Sequence, residues 1–287
     1  MKISLWTLGL LSVVSLGCSS SPGKSDAGDG GDGYEEFFVD VSGKALVHPV
    51  GVQHLTDAGL PALSLEGLTV RVEEPLKVAT GNLQQGVFGL VVLDSSGEFK
   101  AEHISTELVN LGISAGVRDE RDAGVSPIIK SSTVVYDVIL IGEKPRMNIT
   151  NTKAYAVPRQ LHEALTAAVT EQTILSLTKG TNRKTLYEAG FTLGRIVDAS
   201  GNPVSGLTVK PIPSDYTSRI FYPKEDLSGT QASTSANGLF IYVHDGGDVQ
   251  TYRYTINGHP EYKERRAGAV KDACLVTEVY PGLTPPP

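Results

Sequence analysis

Gly112-Ile113-Ser114-Ala115-Gly116 is the one stretch of this chain whose residue types and spacing match a catalytic motif. In Gly-x-Ser-x-Gly the glycines let the serine sit on a strained strand-to-helix turn, where a neighbouring base can activate its hydroxyl. The residues that follow do not continue as such a helix. Val117-Arg118-Asp119-Glu120-Arg121-Asp122-Ala123-Gly124 is charged and soon broken by glycine. The chain also lacks the strand–helix alternation of the hydrolase fold that carries this motif. A strand-end turn is therefore the expectation for Ser114, with an envelope serine hydrolase as the alternative.

Metal chemistry finds no better footing. His48, His54, His103, His162, His244 and His259 are scattered, and His162-Glu163 runs on to Ala164-Leu165-Thr166 with no second histidine. His244-Asp245-Gly246-Gly247-Asp248 offers two carboxylates to calcium but reads first as a solvated hairpin loop. Asp26, Asp29 and Asp32 lie near glycines without the spacing of an EF-hand loop. Glu73-Glu74 and the charges from Asp119 to Asp122 read as exposed. Cys274, beside Leu275, Val276 and Val279, reads as a small buried apolar residue; a disulfide between chains is its other reading. No catalytic residue, metal ligand or cofactor is assigned.

Cys18 is the residue with a definite chemical expectation. Lys2 precedes an apolar stretch over residues 3–14, interrupted by Ser4, Thr7, Gly9 and Ser12. That stretch is shorter than the ~20 residues of a membrane-spanning helix and has the layout of a signal peptide. Residues 19–33 contain nothing apolar larger than alanine. They cannot bury enough surface to offset ordering, and read as a tether with an end-to-end distance of roughly 20 Å. Val14-Ser15-Leu16-Gly17-Cys18 resembles the lipobox of bacterial lipoproteins, although Ser15 stands where leucine is usual. The resemblance implies that residues 1–17 are removed and that Cys18 carries a diacylglycerol anchor. An ordinary secretory signal with an incidental cysteine is the other reading. Ser19 resembles the residue that sorts such proteins to the outer membrane.

About 250 residues follow the tether, enough for two ordinary domains. The net charge is −7 and no dense Lys/Arg patch occurs, which argues against nucleic acid as a partner. No second long apolar stretch appears, so the expected membrane contact is through lipid. Thirty-one glycines and sixteen prolines punctuate short runs of Val, Ile and Thr, the pattern of strands and turns.

The strand pattern contains an internal repeat. Val39-Asp40-Val41-Ser42-Gly43 resembles Val197-Asp198-Ala199-Ser200-Gly201, and Gly67-Leu68-Thr69-Val70 resembles Gly206-Leu207-Thr208-Val209. Ser96-Gly97-Glu98-Phe99 resembles Asn237-Gly238-Leu239-Phe240, Gly116 matches Gly258, and residues 133–141 match 273–280. Gly67 to Gly97 is 30 positions and Gly206 to Gly238 is 32, whereas Gly43 to Gly67 is 24 and Gly201 to Gly206 is 5. An insertion of about nineteen residues in the first copy, around residues 47–63, accounts for that difference. Leu68, Val70 and Val72 alternate with polar residues, as a half-buried strand requires. Leu239 to Val243 is continuously apolar, as in a central strand.

Gly194-Arg195-Ile196-Val197-Asp198-Ala199-Ser200-Gly201-Asn202-Pro203-Val204, together with Ser235-Ala236-Asn237-Gly238-Leu239-Phe240, resembles a carboxypeptidase regulatory-like domain. That resemblance implies a transthyretin-like β-sandwich of about seven strands. The expected fold is mainly β, with two tandem Ig/transthyretin-like antiparallel β-sandwiches joined by a short helical connector. The expected divisions are a signal at 1–17, lipidated Cys18 and tether at 18–36, a divergent sandwich at 37–143, and a helical connector at 144–189. A carboxypeptidase regulatory-like sandwich at 190–281 and a disordered tail at 282–287 complete the set. The expected function is that of a lipid-anchored cell-envelope lipoprotein of the outer membrane. It would bind an envelope protein or glycan, or support an assembly, without catalysis and without a cofactor.

Overall fold

The structure is a computed structural model and describes residues 36–121 and 124–286. The expected signal peptide, Cys18 and the tether lie outside the described residues, as does Asp122. From Glu36 onward the chain forms one unit. Its first half holds β1 (Phe38–Val47), β2 (Thr69–Glu73), β3 (Val87–Val92), β4 (Glu98–Ser105), β5 (Gly112–Arg118), β6 (Ile128–Ile129), β7 (Ser131–Asp137) and β8 (Ile149–Pro158). Its second half holds β9 (Phe191–Ile196), β10 (Val209–Ile212), β11 (Ile220–Pro223), β12 (Thr230–Gln231), β13 (Leu239–Val243), β14 (Gln250–Ile256), β15 (Arg265–Ala269) and β16 (Cys274–Val279). The helices are α1 (Pro49–Asp57), α2 (Pro75–Ala79), α3 (Leu83–Gly86), α4 (Val138–Ile141), α5 (Arg159–Val169), α6 (Glu171–Leu177) and α7 (Leu186–Ala189). No described helix is long and apolar enough to cross a membrane.

The pairing pattern of the first half recurs in the second. β1 lies antiparallel to β4 and parallel to β8, while β9 lies antiparallel to β13 and parallel to β16. β2–β5–β7 is an antiparallel run, and so is β10–β14–β15. Between the facing layers of the first half sit Val41, Leu68, Val70, Phe99, Ile113 and Val117; between those of the second sit Ile196, Phe240, Tyr242, Tyr252 and Tyr254. One short parallel pairing, Cys274–Val276 of β16 against Ser131–Thr133 of β7, fuses a layer from each half. The result is a nine-stranded sheet ordered β12-β11-β13-β9-β16-β7-β5-β2-β3.

Backbone hydrogen bonds fix which residues correspond. Gly67 N donates to Leu93 O (2.8 Å) and Leu93 N to Leu68 O (2.8 Å). Gly206 N likewise donates to Thr234 O (2.8 Å) and Thr234 N to Leu207 O (2.9 Å). The carbonyls of Gly97 and Gly238 accept from Ala45 N (2.7 Å) and Ile196 N (2.9 Å). These two turn glycines have φ of 72° and 70°, which side chains resist. An added Cβ would also lie 2.9 Å from Ala45 O and 2.5 Å from Ile196 O. Gly67 thus corresponds to Gly206, and Gly97 to Gly238.

The other three sequence matches shift. Gly43 pairs with Phe99 and Gly194 with Phe240, so Gly43 corresponds to Gly194 and not to Gly201. Asp198 to Gly201 instead form a turn past β9, closed by Gly201 N to Asp198 O at 3.0 Å. Gly116 pairs with Arg71 where Thr255 pairs with Lys210, which places Gly116 with Thr255 rather than Gly258. Strand order matches β7 to β15 and β8 to β16, so residues 133–141 are not the counterpart of 273–280. The first half then has 24 positions from Gly43 to Gly67 against 12 from Gly194 to Gly206, and the extra length holds α1.

The segment 144–189, expected to be helical, opens with β8. Only after Pro158 do α5, α6 and α7 follow. Thr185 and Glu188 form a reciprocal cap that starts α7. Leu161, Leu165, Ile174 and Leu186 of this layer pack onto Phe191, Leu193, Leu239, Ile241 and Val276. Each such side chain contributes about 1.5–3 kcal/mol on burial. β13 is therefore covered on both faces, by helices on one and by Tyr252 and Tyr254 on the other. That explains its unbroken apolar run.

Candidate functional site

Ser114 lies within β5, neither at the strand-end turn expected for it nor on a strand-to-helix turn. β5 pairs with β2 on one side and β7 on the other, and Ser114 is fully buried. Its hydroxyl reaches the Glu73 carbonyl at 3.5 Å and Ser132 Oγ at 2.9 Å. Neither partner is a histidine, so the base that would raise the nucleophilicity of the hydroxyl is missing from its hydrogen bonds. Gly116 of the same motif has a packing reason. A Cβ there would meet Ser131 O at 3.0 Å, with Glu73 Oε1 and Arg118 Nε close behind.

The polar group that does organise this face is Glu73, which with Glu74 was expected to be exposed. Glu73 is 2% exposed and Glu74 is fully buried. Arg71 Nε meets Glu73 Oε2 at 2.6 Å, and Arg118 Nη2 lies 3.2 Å from each carboxylate oxygen. Ser132 Oγ is 3.1 Å from Oε1. Glu74 turns the other way. It caps α2 through Lys77 N (2.7 Å) and holds Leu111 N (3.0 Å). Alternation along β2 sends the two carboxylates to opposite faces, and each finds donors that offset its desolvation. The signal for this network was Arg71 and Glu73 two apart on one strand; Arg118, opposite Thr69 on the next, reaches Glu73 along the strand past Arg71.

Beside the Glu73 cluster is a cleft of about 150 Å³, floored by β5 and β7 and walled by α2 and β15. Its lining is chiefly aliphatic, with Glu73, Arg118, Lys130, Asp137 and Arg266 as charged members. A second, wider cleft of about 710 Å³ runs between α1 with its following loop and the ends of β8, β9 and β16. There Arg195 Nη1 meets Glu278 Oε1 at 3.0 Å, and Tyr155 Oη donates to the same oxygen at 3.3 Å. Leu46, Leu55 and Leu63 form the apolar wall.

The remaining candidates serve the fold. His162 Nε2 accepts from Tyr187 N at 3.1 Å, tying α5 to α7; burial, with Arg159 nearby, lowers its pKa to about 4. His48 is buried against Tyr155, and burial followed by the Arg195 charge brings it down to about 3. His244 is fully buried with Nδ1 3.2 Å from Ala189 O, and burial lowers its pKa. Asp245, beside it, accepts Gly247 N at 2.9 Å. Asp119 is held by Arg121 through paired contacts of 2.8 and 2.9 Å, and this bond pulls it down to about 2. Cys274 is buried at the start of β16, where desolvation raises its thiol pKa far above the ordinary range. Among the described residues no three His, Cys, Asp or Glu side chains converge as a metal ion would require.

No protein family matches the chain, and no curated protein matches it. Solved structures similar to it include a Streptococcal ancillary pilin, at 11% identity over 86% of this chain and 70% of that one, with a TM-score of 0.23. The shaft pilin SpaA from Lactobacillus rhamnosus GG is 11% identical over 86% of this chain and all of its own, with a TM-score of 0.24. The Bacillus anthracis TIE protein is 9% identical over 85% of this chain and 34% of its own, at 0.22.

Proposed function

We propose that this chain is a lipid-anchored cell-envelope protein of the outer membrane that binds an envelope protein or glycan, or braces an assembly, without catalysing a reaction. Cys18 carries the anchor, residues 19–33 give it reach, and the two strand repeats form the working part. The second repeat is a carboxypeptidase regulatory-like sandwich in this reading, and the first is a divergent copy of it. The observation that carries the non-catalytic part is the placement of Ser114: buried within β5, with Glu73 and Ser132 as its hydrogen-bond partners. Radiolabelled palmitate should enter the wild type and not Cys18→Ala. A fluorophosphonate probe should leave the purified protein unlabelled. Labelling that disappears in Ser114→Ala would replace this reading with a serine hydrolase.

A further inference from the structure

The cleft floored by β5 and β7 joins aliphatic walls to a lopsided set of charges. Val134 on the floor, Leu76, Val78 and Ala79 of α2, and Ala267 and Ala269 of β15 enclose its space of about 150 Å³. An engineered apolar cavity of comparable size takes up benzene, so the space suits a body of about six carbons. The charges gather toward one end. Val117 pairs with Ser131, so Arg118 and Lys130 stand at the next place across β5 and β7, and both line the cleft. Arg71 pairs with Gly116 two places along. Among the lining residues Glu73 is the carboxylate at this end, and Arg71, Arg118 and Ser132 take up both of its oxygens. Like charges set across two strands repel each other. Among the described residues the side chains of Lys130 and Arg266 make no hydrogen bond or ion pair, and Arg118 Nε is buried without a partner. Asp137 closes the other end of β7, where its Oδ1 accepts Ile139 N at 2.9 Å and Leu140 N at 3.0 Å. The hydrogen-bonding capacity left over at the Lys130 end is therefore that of cationic donors, which suits an anion.

We propose that this cleft is a binding site for a small apolar carboxylate, an aliphatic or aromatic acid with a body of about six carbons. The hydrocarbon lies between Val134, α2 and β15. The carboxylate lies at the Lys130 end, where it relieves the apposition of Lys130 and Arg118. Asp137 at the opposite end disfavours the reverse orientation. Burial against the aliphatic walls raises affinity about fourfold per CH2, and the charge-assisted contact selects the acid over the amine. The ligand is independent of how the chain is anchored, so this site stands or falls separately from the lipidation of Cys18.

The test is calorimetry on the full chain, with Cys18→Ser to keep it free of lipid and sodium hexanoate as the probe. Binding should saturate with a Kd on the order of 0.1–1 mM. Butanoate, two CH2 groups shorter, should bind about sixteenfold more weakly, and hexylamine should not compete. Lys130→Ala, at an exposed position, should weaken hexanoate about tenfold. Ala79→Trp, which fills the space beside α2, should abolish binding in a protein whose melting shows that it folds; should it not fold, Lys130→Ala decides. No saturable binding, hexylamine binding as tightly as hexanoate, or binding untouched by Lys130→Ala overturns the proposal.

Discussion

β5 and β14 hold the same place in the two repeats and live in opposite surroundings. Every residue of β14 that faces away from its sandwich is exposed or half-buried, and Arg253 meets Glu264 in solvent at 3.1 Å. β5 is buried on both faces from Gly112 to Val117. The position that is Arg253 in one repeat is Ser114 in the other, and the partner strand offers Ile212 in one and Glu73 in the other. The difference follows from the seam. β7 is extended by β16, and β15 with its following turn rises as a wall over β5 and β7, next to α2. β15, the counterpart of β7, gains no such neighbour strand. A repeated framework therefore accepts a buried ion network on one copy and an open surface on the other, depending only on what the next element covers.

Four measurements would break or sharpen that contrast. Glu73→Ala strands Arg71 and Arg118 in a site where their side chains are 16% and 14% exposed. It should cost about 3–5 kcal/mol in denaturant unfolding; a loss near zero would mean the covered face is not closed in solution. The cover over the second repeat is tested by pH. In the unfolded chain His162 binds a proton below about pH 6.5, whereas in the fold it does so only near pH 4. The share of stability that His162 contributes should be complete above pH 6.5 and fall by up to about 3 kcal/mol as pH drops toward 4, on top of the losses from buried His48 and His244 in the same direction. His162→Gln should make that slope shallower, His48 and His244 supplying what is left, and an unchanged slope would remove His162 from the account. Gly97→Ala and Gly238→Ala place the same strain at equivalent turns, and each should cost about 1–3 kcal/mol. A large disparity between them would end the equivalence of the turns. The smallest effect belongs to Arg253→Ala on the open face, expected within about 0.5 kcal/mol by thermal melting.

What was legible in the sequence was local. The turn glycines Gly67, Gly97, Gly206 and Gly238 mark the start of β2, β4, β10 and β13, because a turn states its needs within four residues. The mainly β class followed from the same punctuation. The Val39–Gly43 match to 197–201 misled because five similar residues can form a strand in one place and a turn in another, and only pairing with Phe99 and Phe240 separates them. β8 was hidden because its first half, Ile149-Thr150-Asn151-Thr152-Lys153, is half-buried or exposed and its partner β1 is more than a hundred positions away. Of the candidate site, the lack of a strand-to-helix turn at Ser114 was readable from the charged, glycine-broken run that follows it. The burial of Glu73 and Glu74 was not, since α2, β5 and β7 create it together.

The seam between the halves also sets an order of events. β16 is the last of the described strands in chain order, yet it lies between β9 and β7, and its partner Ser131 is about 140 positions earlier. Until β16 arrives, β7 waits as an open edge and the second half lacks the strand that closes it. Contacts of such long sequence separation form late and slowly. The nascent chain thus passes through a period in which β7 is an unpaired edge of a partly built sheet, a state prone to association with other chains.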